Sequence, residues 1–532
     1  MKIKPARTKK LFLGILISAA LLFSCSCAAT ACTGLYVGPE ASDDGTILLA
    51  RSNDLQQIMP THMRVVPRLE DEPGRTMPLD VGQTVFVELP ATTYHYTCTP
   101  WMESCSTRMN YPPDTAACTN EYGVAMTIAV TAFTNEKALS ADPLIKTGVT
   151  ENTVDHIVVC QSVTAREAVE KLLALIDEYG SAECNIAMIT DQEESWYVEM
   201  YTGHQYAAVK LPRDAVCFYG NEFSLEYLSE FEDHIVSEGL ESVAAENGFA
   251  VYGESGELNL FETYSGTEML QPYCHMRTWI GHKVMSPSQY GDYDGTTLYP
   301  LVFRPDHKVS LSDAMELMRN RYEGTEYDPD ETGRIDMRVV GTDTAMSVHV
   351  LQIYKELPAN MACVSWISTG PCVYGVFVPL SNLCTGVSET YSADQSAAED
   401  RTFDPEHYPW YAYKELNTIG MTDPAVYGAP VRAYWKRAEA DMIRSMAELL
   451  EKASRMGKTE AAEIMTDYCS AVQKQAFEDA GELLNLVRWD YNRNSNTLKV
   501  GRNPETGEFL TTERVLDPVE IPLTGEGYRA TE

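Results

Sequence analysis

The stretch Ala29-Thr30-Ala31-Cys32-Thr33-Gly34-Leu35-Tyr36-Val37-Gly38 sets a small-residue cleavage site directly against a cysteine that opens a strand. Upstream, Lys2, Lys4, Arg7, Lys9 and Lys10 form a basic region, and Leu11 to Phe23 is a largely apolar run of thirteen residues. That is the build of a signal peptide, too short to span a bilayer comfortably. Cutting after Ala31 makes Cys32 the first residue of the mature chain. A thiol in that position has a base attached to it, because the freed α-amine can take its proton. An α-amine titrates near ~8 and a free thiol near ~8.5, so a modest local field leaves a neutral amine beside a reactive thiolate near neutrality.

The residues that follow predict a β-hairpin. An apolar run to Val37 meets the turn-rich Gly38-Pro39-Glu40-Ala41-Ser42-Asp43-Asp44-Gly45, then a second apolar run, Thr46 to Ala50. With the loop centred near Ala41 and Ser42, antiparallel pairing returns Arg51 opposite Cys32 within a residue or two of register, with Asn53 and Asp54 just beyond. A cation and a carboxylate thus arrive at the new amino terminus, Arg51 to stabilise the thiolate and Asp54 to hold the amine.

The order Cys-Thr-x-Leu-x-Val-Gly, Ala-Ser-x-Asp-Gly-Thr, Ala-Arg-x-x-Asp, here Cys32 through Asp54, resembles the cysteine dipeptidases of the N-terminal nucleophile hydrolases. These are relatives of the secernins and, more distantly, of penicillin V acylase and bile salt hydrolase. The resemblance implies an α+β fold, a four-layer αββα sandwich of two antiparallel sheets, here with added C-terminal helices. It also implies hydrolysis of small peptides through Cys32 without a cofactor. Gly220-Asn221-Glu222-Phe223 resembles the family's Asn-x-Phe, which makes Asn221 a donor to the developing oxyanion; a cap on the segment Ser224 to Phe231 is the structural alternative. Arg277-Thr278-Trp279 resembles the family's Arg-x-Trp and places Arg277 as a second cation near the nucleophile, where a surface ion pair is the alternative. Asn120-Glu121-Tyr122-Gly123-Val124-Ala125 matches Asn-Glu-x-Gly-Val-Ala, a turn after which a backbone amide joins the oxyanion hole in the wider superfamily; taken alone it is an ordinary hairpin turn.

Elsewhere the pattern is scaffold. Thr164-Ala165-Arg166-Glu167 is a capping box, and Ala168, Val169, Leu172, Leu173 and Ile176 continue at helical spacing until Gly180. Four strand-like runs follow, 184–190, 195–201, 206–211 and 215–220, which predict an antiparallel meander. Residues 312–322 read as a short amphipathic helix, 373–380 as a strand and 384–400 as a polar surface loop. Residues 431–456 and 459–489 read as long packed helices whose methionines, Met442 and Met446 among them, fill the core. The reading divides the chain into a signal peptide (1–31), one catalytic domain (32–490) and an irregular tail (491–532).

The formal charge is −36, and loss of five basic and no acidic residues with the leader takes it to −41. Such acidity disfavours nucleic acid and anionic membrane surfaces as partners. Beyond Cys25, Cys27 and Cys32, eleven cysteines remain at irregular spacings. An odd number cannot pair completely, and Cys98/Cys105 and Cys363/Cys372 are the nearest disulfide candidates. Metal-ligand spacings such as Cys-x-x-Cys or His-Glu-x-x-His are missing, so neither metal nor cofactor is expected. The partners expected are small peptides, with no membrane span; the oligomeric state, a homo-oligomer included, stays open. The expected location is outside the cytoplasm. Leu22-Phe23-Ser24-Cys25 also resembles a lipobox, which would anchor the chain by a lipid on Cys25. Two other functions stay open: an amidase for N-acylated small molecules, and a ligand-binding surface lipoprotein in which Cys32 takes no part.

Overall fold

The hairpin expected after Cys32 forms. In the computed structural model β1 (Thr33–Val37) and β2 (Ile47–Asp54) pair antiparallel, with Gly34 opposite Arg51 and Thr33 opposite Ser52. The structure describes residues 32–54, 59–109, 116–130, 132–267, 271–334, 338–495, 501–502, 509–510, 516–523 and 526–530. The signal segment and Cys25 lie outside them, as does part of the tail.

The hairpin sits in the middle of a seven-stranded sheet. Its neighbours are β3 (Val216–Tyr219) against β1 and β4 (Ala345–Ile353) against β2, with Val302–Phe303 at one edge and Cys363–Thr369 and Val378–Ser381 at the other. A second, eight-stranded sheet contains Asn185–Thr190, Ser195–Met200 and Tyr206–Lys210 as adjacent strands, the last of them next to the edge strand His234–Val236. All named pairings in both sheets are antiparallel.

The alternation along the second sheet decides the layering. Ile186, Met188, Tyr197, Ala207 and Val209 join the core shared with the first sheet. Ala187, Ile189, Trp196, Val198 and Ala208 join a separate core under α1 (Ala165–Tyr179) and the helix Val154–Val159. With period two, each strand feeds both cores at once. The first sheet's far side carries α2 (Pro272–Met285), α3 (Leu311–Met318), α4 (Ala429–Ala453) and α5 (Lys458–Ser495). The result is the expected αββα order with C-terminal helices added.

Local signals hold where the interactions are local. The Thr164 hydroxyl accepts from Glu167 N–H at 3.1 Å, and Gly180 ends α1 with φ at +74°. Met442 and Met446 are fully buried, as core filler should be.

Four expectations are corrected. The fourth run of the predicted meander leaves the second sheet, because Pro212 has no N–H for a ladder and the Arg213 carbonyl is held by Glu40 N–H at 2.8 Å. Gly38 permits this approach: a Cβ there would lie 2.3 Å from the Arg213 oxygen. β3 thereby pairs with β1, Gly34 facing Tyr219. The strand predicted over 373–380 is confined to Val378–Ser381, since side chains take the preceding backbone groups. Asn417 accepts from Tyr374 N–H at 3.1 Å, Trp435 donates to the Tyr374 carbonyl at 3.0 Å and Glu439 accepts from Phe377 N–H at 2.8 Å. The loop over 384–400 is pinned rather than free on the surface, with Tyr391 and Gln395 buried and the Tyr391 and Tyr413 hydroxyls 2.6 Å apart. Finally, the twelve described cysteines are free thiols. Cys105 turns its thiol to Met59 Sδ and Cys372 to the Met318 carbonyl, each at 3.4 Å, away from the proposed partners Cys98 and Cys363. In the tail, Tyr528 is buried against α5, its carbonyl accepting from the Tyr468 hydroxyl at 3.1 Å.

Candidate active site

Cys32 precedes β1, and strand alternation puts its side chain on the same face as Gly34, hence as Arg51 across the hairpin. Arg51 Nη2 reaches Cys32 Sγ at 3.4 Å, Asn53 Oδ1 at 3.0 Å and Glu151 Oε2 at 3.2 Å, all from one nitrogen. The row continues sideways. Tyr219 lies over Gly34, where a Cβ would meet its ring at 2.2 Å, and His349 stands opposite Arg51 on β4. His349 is fully buried, and burial first, then Arg51, lower its pKa to about 3, so the ring stays neutral.

The far face of the same strands carries a second set. Arg277, on α2, donates from Nη1 to the Cys32 carbonyl at 2.6 Å and to the Thr33 hydroxyl at 3.0 Å, and from Nη2 to Asn221 Oδ1. A guanidinium only donates, so the side of the Asn221 amide facing it is the oxygen, and the amide's N–H groups are turned away from Arg277. Asn221 arrives here because β3 is the neighbour of β1, which carries the chain past Gly220 to the start of β1. Arg277 is thus held at the Cys32 carbonyl and not at its sulfur; the surface-pair alternative is excluded by its full burial.

Asp54 is also fully buried. Its Oδ2 accepts from the Ser52 hydroxyl at 3.1 Å and lies 3.4 Å from Arg338 Nη2, while Oδ1 has no hydrogen-bond partner among the described residues. Ser52 Oγ in turn accepts from Thr33 N–H at 3.1 Å, which ties the carboxylate's support to the residue after Cys32. Burial raises the Asp54 carboxyl above its ordinary value, Arg338 being the strongest of the influences that oppose it.

The five residues expected at the site, Cys32, Arg51, Asp54, Asn221 and Arg277, therefore converge. Burial pushes the Cys32 thiol up from its ordinary value, and Arg51 is the largest influence opposing that rise, in the direction expected of it.

Sequence reasoning missed Glu151 and Arg338. Neither stands in a motif, and both reach the site from distant segments. Asn120 has a structural role: its amide N–H donates to the Val159 and Ser162 carbonyls at 2.8 Å each, and its oxygen accepts from Tyr122 and Val124 N–H. Among the described residues no group of three or more His, Cys, Asp and Glu side chains is placed to hold a metal ion, and no helix is long and apolar enough to cross a membrane.

Residues 31–436 match the family model for peptidase family C69, which begins one residue before the cysteine at the centre of this arrangement. The chain is 28% identical over 455 residues to a probable dipeptidase B of Streptococcus pyogenes serotype M1, covering 82% of this chain and 87% of that one. It is 27% identical over 427 residues to a probable dipeptidase of Latilactobacillus sakei, covering 79% and 85%. A solved penicillin V acylase from Agrobacterium tumefaciens shares 13% identity over 66% of this chain and 86% of its own, with a TM-score of 0.31, too slight a likeness to build on. With a buried cysteine, two arginines and a carboxylate gathered at the point where the match begins, the chain belongs to peptidase family C69 and is a peptidase.

Proposed function

We propose that this peptidase is a secreted cysteine dipeptidase whose nucleophile is the thiol of an amino-terminal Cys32, released by cleavage after Ala31. The observation that carries the reading is the double hold on one residue: Arg51 on the Cys32 sulfur and Arg277 on its carbonyl, at the first position of a central hairpin. The names of the relatives, probable dipeptidases, support the substrate class.

The chemistry follows from the groups present. Cleavage after Ala31 turns the Cys32 amide nitrogen into an amine, and the unpartnered Oδ1 of Asp54 suits an ammonium donor at the head of the strand. The amine takes the thiol proton as Sγ bonds to the peptide carbonyl carbon, whose oxygen becomes the oxyanion. Asn221, its amide oriented by Arg277, donates to that oxygen without adding a titratable charge. The ammonium then gives its proton to the leaving nitrogen as the C–N bond breaks, which releases the second amino acid. Water, deprotonated by the same amine, attacks the thioester, frees the first amino acid and returns the proton to sulfur.

The test is mass spectrometry of the exported protein's amino terminus together with dipeptide hydrolysis. A free amine on Cys32 with turnover that Cys32→Ala abolishes is the expected result. Full turnover by protein that keeps a residue before Cys32 would overturn the amine's role, since an amide nitrogen is not a base. Lipid on Cys25 with residues 26–31 retained would favour the surface-lipoprotein reading.

A further inference from the structure

Glu151 is the group at the nucleophile for which the hydrolytic steps above have no use. Its Oε2 and Cys32 Sγ both sit within 3.4 Å of the same Arg51 nitrogen, so the carboxylate stands beside the sulfur. Glu151's side chain keeps 10% of its surface exposed, against 2% for Arg51. Of the two, Glu151 is therefore the one that solvent reaches. Its backbone is fixed as well: Glu151 N–H donates to Glu183 Oε2 at 3.1 Å, and Asn185 Nδ2 holds the same oxygen at 3.3 Å.

A peptide bound for attack places its carbonyl carbon roughly 3–3.5 Å from the thiol. The nitrogen of the first residue is then fixed by covalent geometry, about 2.5 Å from that carbon. In an unblocked dipeptide this nitrogen is an ammonium held within about 6 Å of Sγ, a reach that takes in the Arg51 and Glu151 side of the sulfur. Arg51 alone would repel it. A carboxylate can accept about four hydrogen bonds, so Glu151 can hold Arg51 and an ammonium together.

We propose that Glu151 is a specificity residue that binds the α-ammonium of the substrate's first residue and so makes the enzyme prefer unblocked peptides over substrates lacking that amine. This rests on the dipeptidase reading and deepens it.

The experiment compares kcat/KM for the best-cleaved unblocked dipeptide with that for its des-amino counterpart, identical but for hydrogen in place of the α-amine, using the mature protein. Wild type should favour the free amine by about tenfold or more, the scale of one charged hydrogen bond. In Glu151→Gln that ratio should collapse toward one, mainly through KM, and Glu151→Asp should keep part of it. A wild-type ratio near one, or a Glu151→Gln ratio equal to the wild type's, overturns the assignment; the first needs no variant to fold. A changed rate of Cys32 alkylation in Glu151→Gln with the ratio intact would make Glu151 a positioning residue for Arg51 and likewise overturn it. Absence of any dipeptide hydrolysis by wild type with a free Cys32 amine would overturn the dipeptidase reading and this assignment with it, whereas hydrolysis with an unmoved ratio removes only the role of Glu151.

Discussion

Arg51→Met removes the cation from the nucleophile while keeping an unbranched stem in β2. The guanidinium stands 3.4 Å from Sγ and is the largest influence that lowers the thiol's pKa. An opposite charge at such range is worth about 1–3 pKa units. Its loss moves the thiol further up, and Glu151, which already raises it, then acts without Arg51 to oppose it. At a fixed pH below the pKa, each unit costs tenfold in thiolate, but a more basic thiolate is also a better nucleophile, with a Brønsted slope of about 0.4–0.5. The net loss is about 3.5-fold per unit, or about 4- to 40-fold in alkylation rate over the range. The assay is iodoacetamide labelling at about pH 7 and across an alkaline series, read by peptide mass at Cys32 itself because all twelve described cysteines, Cys32 included, are buried. Because methionine leaves Glu151 without its cation, the double variant with Glu151→Gln separates a fold defect from the electrostatic effect. A labelling rate and titration midpoint in both variants within twofold of wild type would refute the reasoning, since they would mean that Arg51 does not act on the sulfur.

Asn221→Ala should lower kcat by about a hundred- to a thousandfold with little change in KM, as loss of an oxyanion donor does; steady-state kinetics on a dipeptide would show it, and a KM effect alone would reassign the residue to binding. Asp155, fully buried with its carboxyl pushed up to about 8 by burial, holds its proton far more tightly folded than unfolded. That contribution is complete below about pH 4 and is lost as pH rises toward about 8, so wild-type stability should decline over this window and Asp155→Asn should flatten the decline in urea midpoints. Arg319 and Glu439 form a buried pair that ties the end of α3 to α4, Arg319 Nη1 lying 3.0 Å from Glu439 Oε2. Glu439→Ala removes the more buried of the two carboxylates on this guanidinium and leaves Glu316 Oε1 at 3.1 Å, so the loss in urea unfolding should fall below the roughly 3–5 kcal/mol of a fully unpaired buried charge but stay above about 1 kcal/mol; a smaller loss would show that Glu316 alone suffices.

The elements legible in the sequence are those whose cause is local. The turn residues between Val37 and Thr46 and the apolar runs on either side of them determine the hairpin and, by its register, the meeting of Cys32 with Arg51. Thr164, Glu167 and Gly180 mark both ends of α1 because caps are contacts within one turn. The resemblance supplied Asn221 and Arg277 as residue types at motif positions; it did not say that one orients the other.

What tertiary structure alone decided is carried by contacts across long separations. Arg51 and Glu151 are 100 residues apart, and Arg277 and the Cys32 carbonyl 245. Such pairs leave no periodicity or spacing to read, because the fold, and not the neighbouring residues, brings them together. The departure of β3 from the meander is the step on which the site depends: each strand of 184–220 looks alike by its alternation, and only the packing of the Pro212 turn against the hairpin assigns the last of them to β1. The rise in the thiol's pKa has the same origin. Charge at Arg51 could be read from the chain, but the desolvation that outweighs it is set by how many layers cover Cys32, and burial is a property of the whole fold.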